Sequence, residues 1–558
     1  HLGGNMNLGQ PTRKLHHLTL LLGLFVFSTS AANAEPPLPL DLDDSRSAMS
    51  IGEEMERSGQ WLEAVRHYEH ALQRWPNDDD LKYGRRRARV HFRVERRYSD
   101  HSFKNSLLGF SQDHALDLFD ETAGRIRNSF VDPLSQLSIV AHGTESLYIA
   151  LANPGFVEAN LPPAITDSEK QARKKRIQEF RRLLRDQYWN KQIYNSQHAR
   201  SVIVEVTQHA SRSLKIAPAA VVMEYVFGGC NSLDDYSGFL TADRLSDLYS
   251  NIDGEFVGLG VEMKEEKDLG MLLVNVLPES PASIGGLRKG DRITWIDDRD
   301  IRSASIDEAA ALMRGQTGSR VKLKIHRQAD NLDWEAILIR RAVTVKSIPV
   351  AKIVDGDYKI GYIELAGFQK TTTSEMEAAL EKLSRSGMKA LVLDVRGNPG
   401  GLLTAAVAVL DKFIGEGVLV STKGRSGDQN WTYRAHRQGT FDIPLALLTD
   451  GDSASASEIV AGAVRDHSRG TIVGRQTYGK WSVQSIFNVG RETGLRLTTA
   501  KFYSPDGLNH SKVGVEPDVL VEEPIEHNVA WRGNNAEDER DIDLERAIEI
   551  MKNKLNSF

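Results

Sequence analysis

The residues best suited to chemistry in this sequence are a serine and a lysine that lie 25 positions apart. Ser455 stands between an apolar run at 443–448, which predicts a buried strand, and a helical pattern that carries Ile459 and Val464. A serine at a strand-to-helix turn lies at the carboxyl edge of a sheet, near helix N–H groups that can stabilise an oxyanion. Lys480 could accept the serine proton if burial lowers its pKa. The pair therefore predicts acyl transfer.

The same stretch also has a purely structural interpretation. Ser455 and Glu458 have the spacing of a capping box, in which a serine and a glutamate satisfy the first N–H groups of a helix. The capping role and the nucleophilic role do not exclude each other, so the local pattern leaves both open. The sequence contains neither the His-Glu-x-x-His motif of zinc peptidases nor the Gly-x-Ser-x-Gly turn of α/β-hydrolases.

A family resemblance favours the catalytic interpretation. The run Ser-Ala-Ser-Ala-Ser-Glu that ends at Glu458, followed by Lys480 and Gln484, resembles the C-terminal processing (tail-specific) serine peptidases. That resemblance implies a Ser–Lys dyad. Ser455 is then the nucleophile, Lys480 the general base, and Gln484 the hydrogen-bonding partner that orients the lysine. Trp481 stands where the family typically has a glycine.

A glycine-rich turn could complete such a site. Residues 395–401 read Val-Arg-Gly-Asn-Pro-Gly-Gly and follow a predicted buried strand at 389–394. Adjacent glycines let backbone N–H groups approach a ligand closely, and no Gly-Lys-Ser/Thr follows that would indicate a phosphate loop. The turn resembles the RxNxGG motif of the same family. That likeness implies an oxyanion-hole donor at Gly400 or Gly401, with the Ala456 N–H as its partner.

A peptide-binding module precedes this core. Residues 254–341 resemble a PDZ domain, because its characteristic segments follow one another in the expected order. The first of these segments matches the carboxylate-binding loop and consists of Gly258, Leu259, Gly260 and Val261. The resemblance implies that its N–H groups hold a peptide C-terminus while the peptide adds a strand to the sheet. Residues 231–240 resemble the segment that precedes this module in the family, and we expect a structural role for them.

The remaining patterns predict a multidomain α+β chain. Small and aromatic residues between Ala48 and Pro76 follow the spacing of one tetratricopeptide repeat, although an ordinary helical hairpin is the alternative. The predicted domains are a signal peptide at 6–34, a linker at 35–44, a tetratricopeptide-like helical region at 45–100, a helical region at 101–252, the PDZ domain at 253–343, an α/β serine peptidase core of the tail-specific type at 344–525 and a helical tail at 526–558. That tail could dock on the body or mediate assembly.

Composition and the N-terminus limit the function further. The 558-residue chain has a net charge of −6, which argues against a dedicated nucleic-acid binder, and its one cysteine, Cys230, cannot form an intrachain disulfide. Basic residues, the apolar run 18–27 and an Ala-x-Ala site predict a signal peptide cleaved after Ala34, with a retained anchor as the alternative. We therefore expect export to the bacterial periplasm or cell envelope.

Together these features predict an exported serine endopeptidase that cleaves unstructured or C-terminal regions of proteins selected by its PDZ domain. No cofactor and no metal are expected. Protein or peptide substrates are the expected partners, whereas a protein partner at the helical repeat, proximity to a membrane and homo-oligomerisation are left open. The alternative function is a non-catalytic or partner-activated PDZ scaffold that binds peptides.

Overall fold

The fold is described from a computed structural model of the chain, which describes residues 19–20, 44–266, 268–304, 306–436, 439–522 and 541–557. Apart from residues 19–20 and 44, the predicted signal peptide and linker lie outside these ranges. Among the described residues, no helix is both long enough and apolar enough to cross a membrane.

The N-terminal region is helical, in agreement with the predicted fold class. Polar side chains cap several helix starts; Asp78, for example, accepts the Leu81 N–H at 3.0 Å. Two short strands are β1 Thr19–Leu20 and β2 Gly238–Leu240. The helices are α1 Ser45–Arg57, α2 Trp61–Arg74, α3 Asp79–Ser99, α4 His101–Asn105, α5 Gln112–Ser129, α6 Gln136–Ala150, α7 Pro154–Asn160, α8 Asp167–Leu183, α9 Ser196–Leu214, α10 Pro218–Gly229 and α11 Ala242–Asp253.

The first three helices pack around one buried tyrosine. Gly52 on α1 and Gly84 on α3 face the Tyr68 ring on α2 so closely that an added Cβ would lie 2.3 Å and 2.7 Å from ring carbons. The Tyr68 hydroxyl donates to Glu56 at 2.8 Å, and Arg87 on α3 donates to the same carboxylate. The small and aromatic residues noted in the sequence therefore build a three-helix contact.

The region predicted as a PDZ domain forms an antiparallel sheet of order β4-β5-β6-β8-β9, with β7 on β6. Its entry strand β3 pairs with its exit strand β10, and the Val345 N–H donates to the Gly254 carbonyl at 2.8 Å. The chain therefore enters and leaves this region at one place. The elements are β3 Glu255–Gly258, β4 Val261–Glu266, β5 Gly270–Val276, α12 Pro281–Ile284, β6 Asp291–Ile296, β7 Arg299–Asp300, α13 Ile306–Met313, β8 Arg320–Arg327, β9 Leu332–Ile339 and β10 Arg341–Thr344.

The predicted peptidase core contains two sheets. The first has the order β11-β12-β13-β16-β17-β20 and is parallel except at β11. The second is antiparallel, with the order β1-β18-β19-β14-β15 and β2 on β19. The elements are β11 Val350–Asp355, β12 Ile360–Glu364, α14 Thr372–Arg385, β13 Ala390–Asp394, α15 Leu403–Leu410, β14 Val418–Gly424, β15 Trp431–Arg434, β16 Leu445–Thr449, α16 Ala456–Asp466, β17 Thr471–Gly474, β18 Ser482–Val489, β19 Thr493–Tyr503, β20 Val519–Leu520 and α17 Ile542–Asn556.

Helices cover both faces of the parallel sheet. Helices α14, α15 and α16 pack on one face. Helix α17 packs on the other, where Ala547 and Met551 share a buried apolar cluster with strand residues such as Val392 and Leu448. Strands β13 and β16 are consequently buried at every position, as parallel strands between two helical layers are. The C-terminal helix thus docks on the body of the protein.

Three neighbouring parallel strands end at the same edge of this sheet. Strand β13 ends at Asp394, ahead of the glycine-rich turn, and β16 ends at Thr449, ahead of Ser455 and α16. Strand β17 ends at Gly474, ahead of the loop that carries Lys480. Because the carboxyl ends of adjacent parallel strands share one edge, the fold brings together the three loops that the sequence predicts to carry the site.

Candidate active site

Ser455 occupies a strained turn at the start of α16. Its backbone φ is +59° and its ψ −110°, a conformation that side-chain-bearing residues rarely adopt. The side chain is fully buried, and its Oγ has no hydrogen-bond partner among the described residues. The Ser455 N–H, by contrast, donates to Glu458 Oε2 at 2.8 Å. The glutamate of the predicted capping box is therefore engaged, while the serine hydroxyl stays uncommitted.

Lys480 lies in a buried environment that favours its neutral form. Burial, reinforced by the positive charge of Arg496, lowers the pKa of Lys480 to about 7, while Asp234 and Glu458 oppose the shift. Its Nζ lies 4.7 Å from the centroid of the Tyr236 ring. An amine with a pKa near 7 is deprotonated in a large fraction of molecules at neutral pH. It can therefore accept a proton, which an ordinary lysine cannot do efficiently.

Glu458 connects the serine and lysine segments. This fully buried carboxylate accepts two hydrogen bonds on Oε2 and three on Oε1. Burial raises the pKa of Glu458, and the hydrogen bonds that it accepts partly offset this rise. The donors to Oε2 are the N–H groups of Ser455 (2.8 Å) and Lys480 (2.7 Å), and those to Oε1 are Thr477 Oγ1 (2.8 Å), Gly479 N–H (2.6 Å) and Trp481 Nε1 (3.3 Å). The sequence indicates this residue only as a helix cap.

Gln484 has a fixed amide group with an uncommitted carbonyl. Its Nε2 donates to Ser482 Oγ at 2.9 Å and to Thr498 Oγ1 at 3.2 Å. Its Oε1 is buried and has no hydrogen-bond partner within the described ranges. Nε2 also donates to the Ser482 carbonyl at 3.3 Å, and because a carbonyl can only accept, this contact fixes Oε1 as the acceptor end of the amide. Gln484 lies on β18, the strand that follows Lys480.

The glycine-rich turn packs directly against the serine. A Cβ added to Gly400 would lie 2.8 Å from Ser455 Cβ and 2.9 Å from the Ala456 nitrogen, and its φ of +106° also favours glycine. The Gly400 N–H donates to Asn398 Oδ1 at 2.8 Å, so this amide is already engaged. Gly401 has a φ of +145° and a Cβ there would collide with the Phe368 carbonyl oxygen at 2.1 Å. The backbone conformation and the close neighbours at both positions therefore require glycine.

Trp481 is buried in the protein core, although it directly follows the lysine. The side chain is 1% exposed, its ring centroid lies 4.6 Å from that of Phe502, and a Cβ on Gly462 would lie 2.8 Å from its ring. This tryptophan fills the core between α16 and the antiparallel sheet.

The segment before the PDZ region contributes to the surroundings of the lysine. Tyr236 faces Lys480, and its carbonyl accepts from Arg496 Nε at 2.8 Å. Ser237 Oγ accepts the Thr498 N–H at 2.9 Å, next to the amide of Gln484. Sequence reasoning expected only a structural role here, since the contacts are made between distant parts of the chain.

The predicted carboxylate-binding loop joins β3 to β4. Leu259 is buried in the core of this region, and Gly260 has a φ of +75°. The carbonyls of both residues are engaged: Leu259 O accepts from Ala282 N–H, and Gly260 O accepts from Leu277 N–H, both at 2.9 Å. Gly258 ends β3 and Val261 begins β4.

In the described part of the chain, no three His, Cys, Asp or Glu side chains are grouped so that they could hold a metal ion.

Comparison with known proteins identifies the family. The model of peptidase family S41 matches residues 359–521, and a PDZ domain model matches residues 273–327. The carboxy-terminal-processing protease of Bartonella bacilliformis is 39% identical over 299 residues, which are 53% of this chain and 68% of that protein. The carboxyl-terminal-processing protease of Synechocystis is 34% identical over 299 residues, 53% of this chain and 69% of that protein.

Among solved structures, the photosystem II D1 C-terminal processing protease aligns at a TM-score of 0.38 and 23% identity, covering 73% of this chain and 93% of that one. The extent and identity of the match to the curated proteases carry the assignment. The chain belongs to the C-terminal processing proteases of peptidase family S41, which makes it a serine-type peptidase with a PDZ domain.

Proposed function

We propose that this peptidase cleaves its substrates with a Ser455–Lys480 dyad. The observation that carries the proposal is the burial of Lys480, whose pKa is lowered to about 7, at the same sheet edge as a serine with an uncommitted hydroxyl. Glu458 binds the N–H groups of both residues and so keeps their segments in register.

The proposed reaction is acyl transfer in two steps. Neutral Lys480 accepts the proton of Ser455 Oγ as this oxygen attacks the scissile carbonyl carbon. The resulting lysine ammonium then gives the proton to the departing amine as the C–N bond breaks. A water molecule, deprotonated by the same lysine, hydrolyses the ester and regenerates the serine. Proton transfer requires the lysine Nζ to come within about 3 Å of the serine Oγ.

The oxyanion is proposed to lie between the N–H groups of Gly401 and Ala456. Ala456 is the first residue of α16, where a backbone N–H has no acceptor inside the helix. Between the two glycines, Gly401 is favoured because the Gly400 amide donates to Asn398. Gln484 Oε1 is proposed to accept a hydrogen from the lysine, since its amide orientation leaves this oxygen as the acceptor.

Substrate choice is proposed to depend on the PDZ domain. The N–H groups of the loop Gly258, Leu259, Gly260 and Val261 would hold a peptide carboxylate, as backbone nests do. Unstructured or C-terminal protein segments are then the expected substrates. We further propose export to the bacterial periplasm or envelope after cleavage behind Ala34, and a tetratricopeptide-like repeat in α1 to α3 that binds a protein partner, with domain boundaries as predicted from the sequence.

A partner-activated version of this function has one specific observation in its favour. Ser455 has no exposed surface, and its Oγ has no hydrogen-bond partner among the described residues. A substrate tail or protein partner would then have to open the site and bring the lysine to the serine. Low activity that rises when a peptide with a free C-terminal carboxylate is added would favour this version.

The test is digestion of casein by residues 35–558, together with Ser455→Ala, Lys480→Ala and, as a matched control, Ser384→Ala on the exposed surface of α14. We expect digestion by the wild type and the control only, with active-serine probes labelling the same two proteins. Activity in either dyad variant would show that the assignment is wrong. Absence of both digestion and labelling in the wild type would leave the non-catalytic scaffold and the partner-activated enzyme, and the addition of a peptide with a free C-terminal carboxylate would then distinguish the two.

A further inference from the structure

A cluster of two arginines and three aspartates joins the C-terminal helix to the active-site edge of the sheet. Its members are Arg396, Arg475, Asp394, Asp541 and Asp543, and none of their side chains is more than 24% exposed. Charged groups that are this shielded from water interact more strongly than pairs on an open surface. The cluster is therefore able to hold its members in a defined arrangement.

Asp543 lies at the centre of the cluster. Its Oδ2 accepts from Arg396 Nη1 at 2.9 Å and from Arg475 Nη2 at 2.8 Å, and its Oδ1 accepts from Arg475 Nη1 at 3.1 Å. One carboxylate thus separates two guanidinium groups that would otherwise repel each other. Asp541 adds contacts to Arg396 at 2.9 and 3.0 Å and caps α17 by accepting the Leu544 N–H.

Each arginine lies at the base of a different active-site loop. Arg396 lies near the start of the oxyanion turn, four residues before Gly400, and is paired with Asp394, the last residue of β13. Arg475 directly follows β17 and opens the loop that leads to Lys480. Its backbone is tied to Thr449, the last residue of β16, by hydrogen bonds of 2.8 and 2.9 Å. The cluster therefore contacts all three strand ends that carry the site.

We propose that Asp543 is a positioning residue for proteolysis, because it holds the oxyanion turn and the loop of the base at a fixed separation. This inference rests on the proposed roles of Gly401 and Lys480. Without the carboxylate, the two neighbouring arginines lose the partner that they share. Arg396 keeps Asp394 and Asp541, but the negative charge that bridges the two guanidinium groups is gone, so their mutual repulsion is no longer offset at this point. The apolar contacts of Ala547 and Met551 keep α17 on the sheet, so the strain falls on the loops.

The test compares Asp543→Asn with Lys552→Gln in residues 35–558. Lys552 lies on the same helix and forms an ion pair of 2.7 Å with Asp355 on β11, away from the three loops. Two readouts are used: amide hydrogen exchange of peptides covering 395–401 and 475–481, and kcat and KM with a peptide substrate. Melting curves of all proteins identify a temperature at which each is folded.

We expect Asp543→Asn to accelerate exchange in both loops and to lower kcat by about tenfold to a hundredfold, since an error of about 1 Å in catalytic geometry has this effect. KM should change by no more than about twofold, because Asp543 does not touch the substrate. Lys552→Gln should leave the exchange of both loops and kcat unchanged.

Unchanged exchange in either loop of Asp543→Asn would overturn the inference, as would faster exchange with an unaltered kcat. An equal loss of kcat in Lys552→Gln would also overturn it, because the effect would then belong to the helix as a whole. Failure of the dyad assignment is recognised separately, by activity in Ser455→Ala. The exchange data still decide in that case whether Asp543 holds the two loops.

Discussion

Replacing Glu458 by glutamine tests how the serine and lysine segments are held together. Glutamine keeps one carbonyl oxygen but has an NH₂ group, which cannot accept a hydrogen bond, in place of the other oxygen. The carbonyl should stay where three donors converge. The N–H groups of Ser455 and Lys480 would then lose their acceptor and face another donor.

The loss of these two hydrogen bonds sets the expected decrease in the free energy of unfolding. A buried donor without an acceptor costs about 1–3 kcal/mol, so two of them cost about 2–6 kcal/mol. In a domain of about 150–250 residues, 1 kcal/mol corresponds to about 2–4 °C, so the peptidase core should melt about 4–24 °C lower. Because both dyad segments shift, kcat should fall by about a hundredfold even where the variant is fully folded.

The assay is peptide hydrolysis below the melting transition, with Glu224→Gln as the matched control. Glu224 is also fully buried and binds Arg97 at 2.6 Å, Tyr98 at 3.0 Å and Ser146 at 2.7 Å, but it lies in the helical region. This control should lose stability and keep the kcat of the folded protein. A Glu458→Gln enzyme with nearly wild-type kcat and melting temperature would refute the argument that this carboxylate holds the dyad.

Three further predictions concern the lysine and the glycine turn. The kcat/KM of the wild type should fall as the pH drops below about 7, because protonated Lys480 cannot accept the serine proton. Arg496→Leu removes a positive neighbour, which should raise the lysine pKa and move this acidic limb to higher pH; an unmoved limb in the pH–rate profile would contradict the assigned influence of Arg496. Gly400→Ala should abolish labelling of Ser455 by an active-serine probe, because the new Cβ would lie 2.8 Å from the serine Cβ at a strained φ. Labelling at the wild-type rate would show that the turn can move aside without loss of the site.

Local patterns predicted the position of the serine well. A buried strand, a turn and a helix follow one another within about twenty residues around Ser455, and the structure has the same order from β16 to α16. The α+β fold class was likewise predictable, since its strands and helices carry their own periodicity or turn residues. The PDZ domain was predicted from its resemblance to that domain family. The residues themselves suggested Lys480 as the base and the family resemblance supported it, whereas the role of Gln484 came from the resemblance alone; both roles stay predictions.

The environment of the lysine could not be predicted in this way. The lowered pKa of Lys480 depends on burial and on Arg496 in β19. The ring of Tyr236, a residue that precedes the PDZ domain in the sequence, faces the lysine amine. Nothing in their spacing indicates that these residues meet. Asp543 shows the same limit, because a charged residue in an amphipathic tail looks solvated in the sequence, whereas the structure places it between two arginines.

The pairing of β3 with β10 has an evolutionary consequence. These strands lie side by side where the PDZ domain leaves and rejoins the chain, and Gly254 and Val345 are joined there by a hydrogen bond of 2.8 Å. A segment with adjacent ends can be replaced by another of different length without displacing the chain on either side. The PDZ domain can therefore be exchanged during evolution while the peptidase core stays unchanged. The proposed selection of substrates and the proposed cleavage chemistry could then change independently of each other.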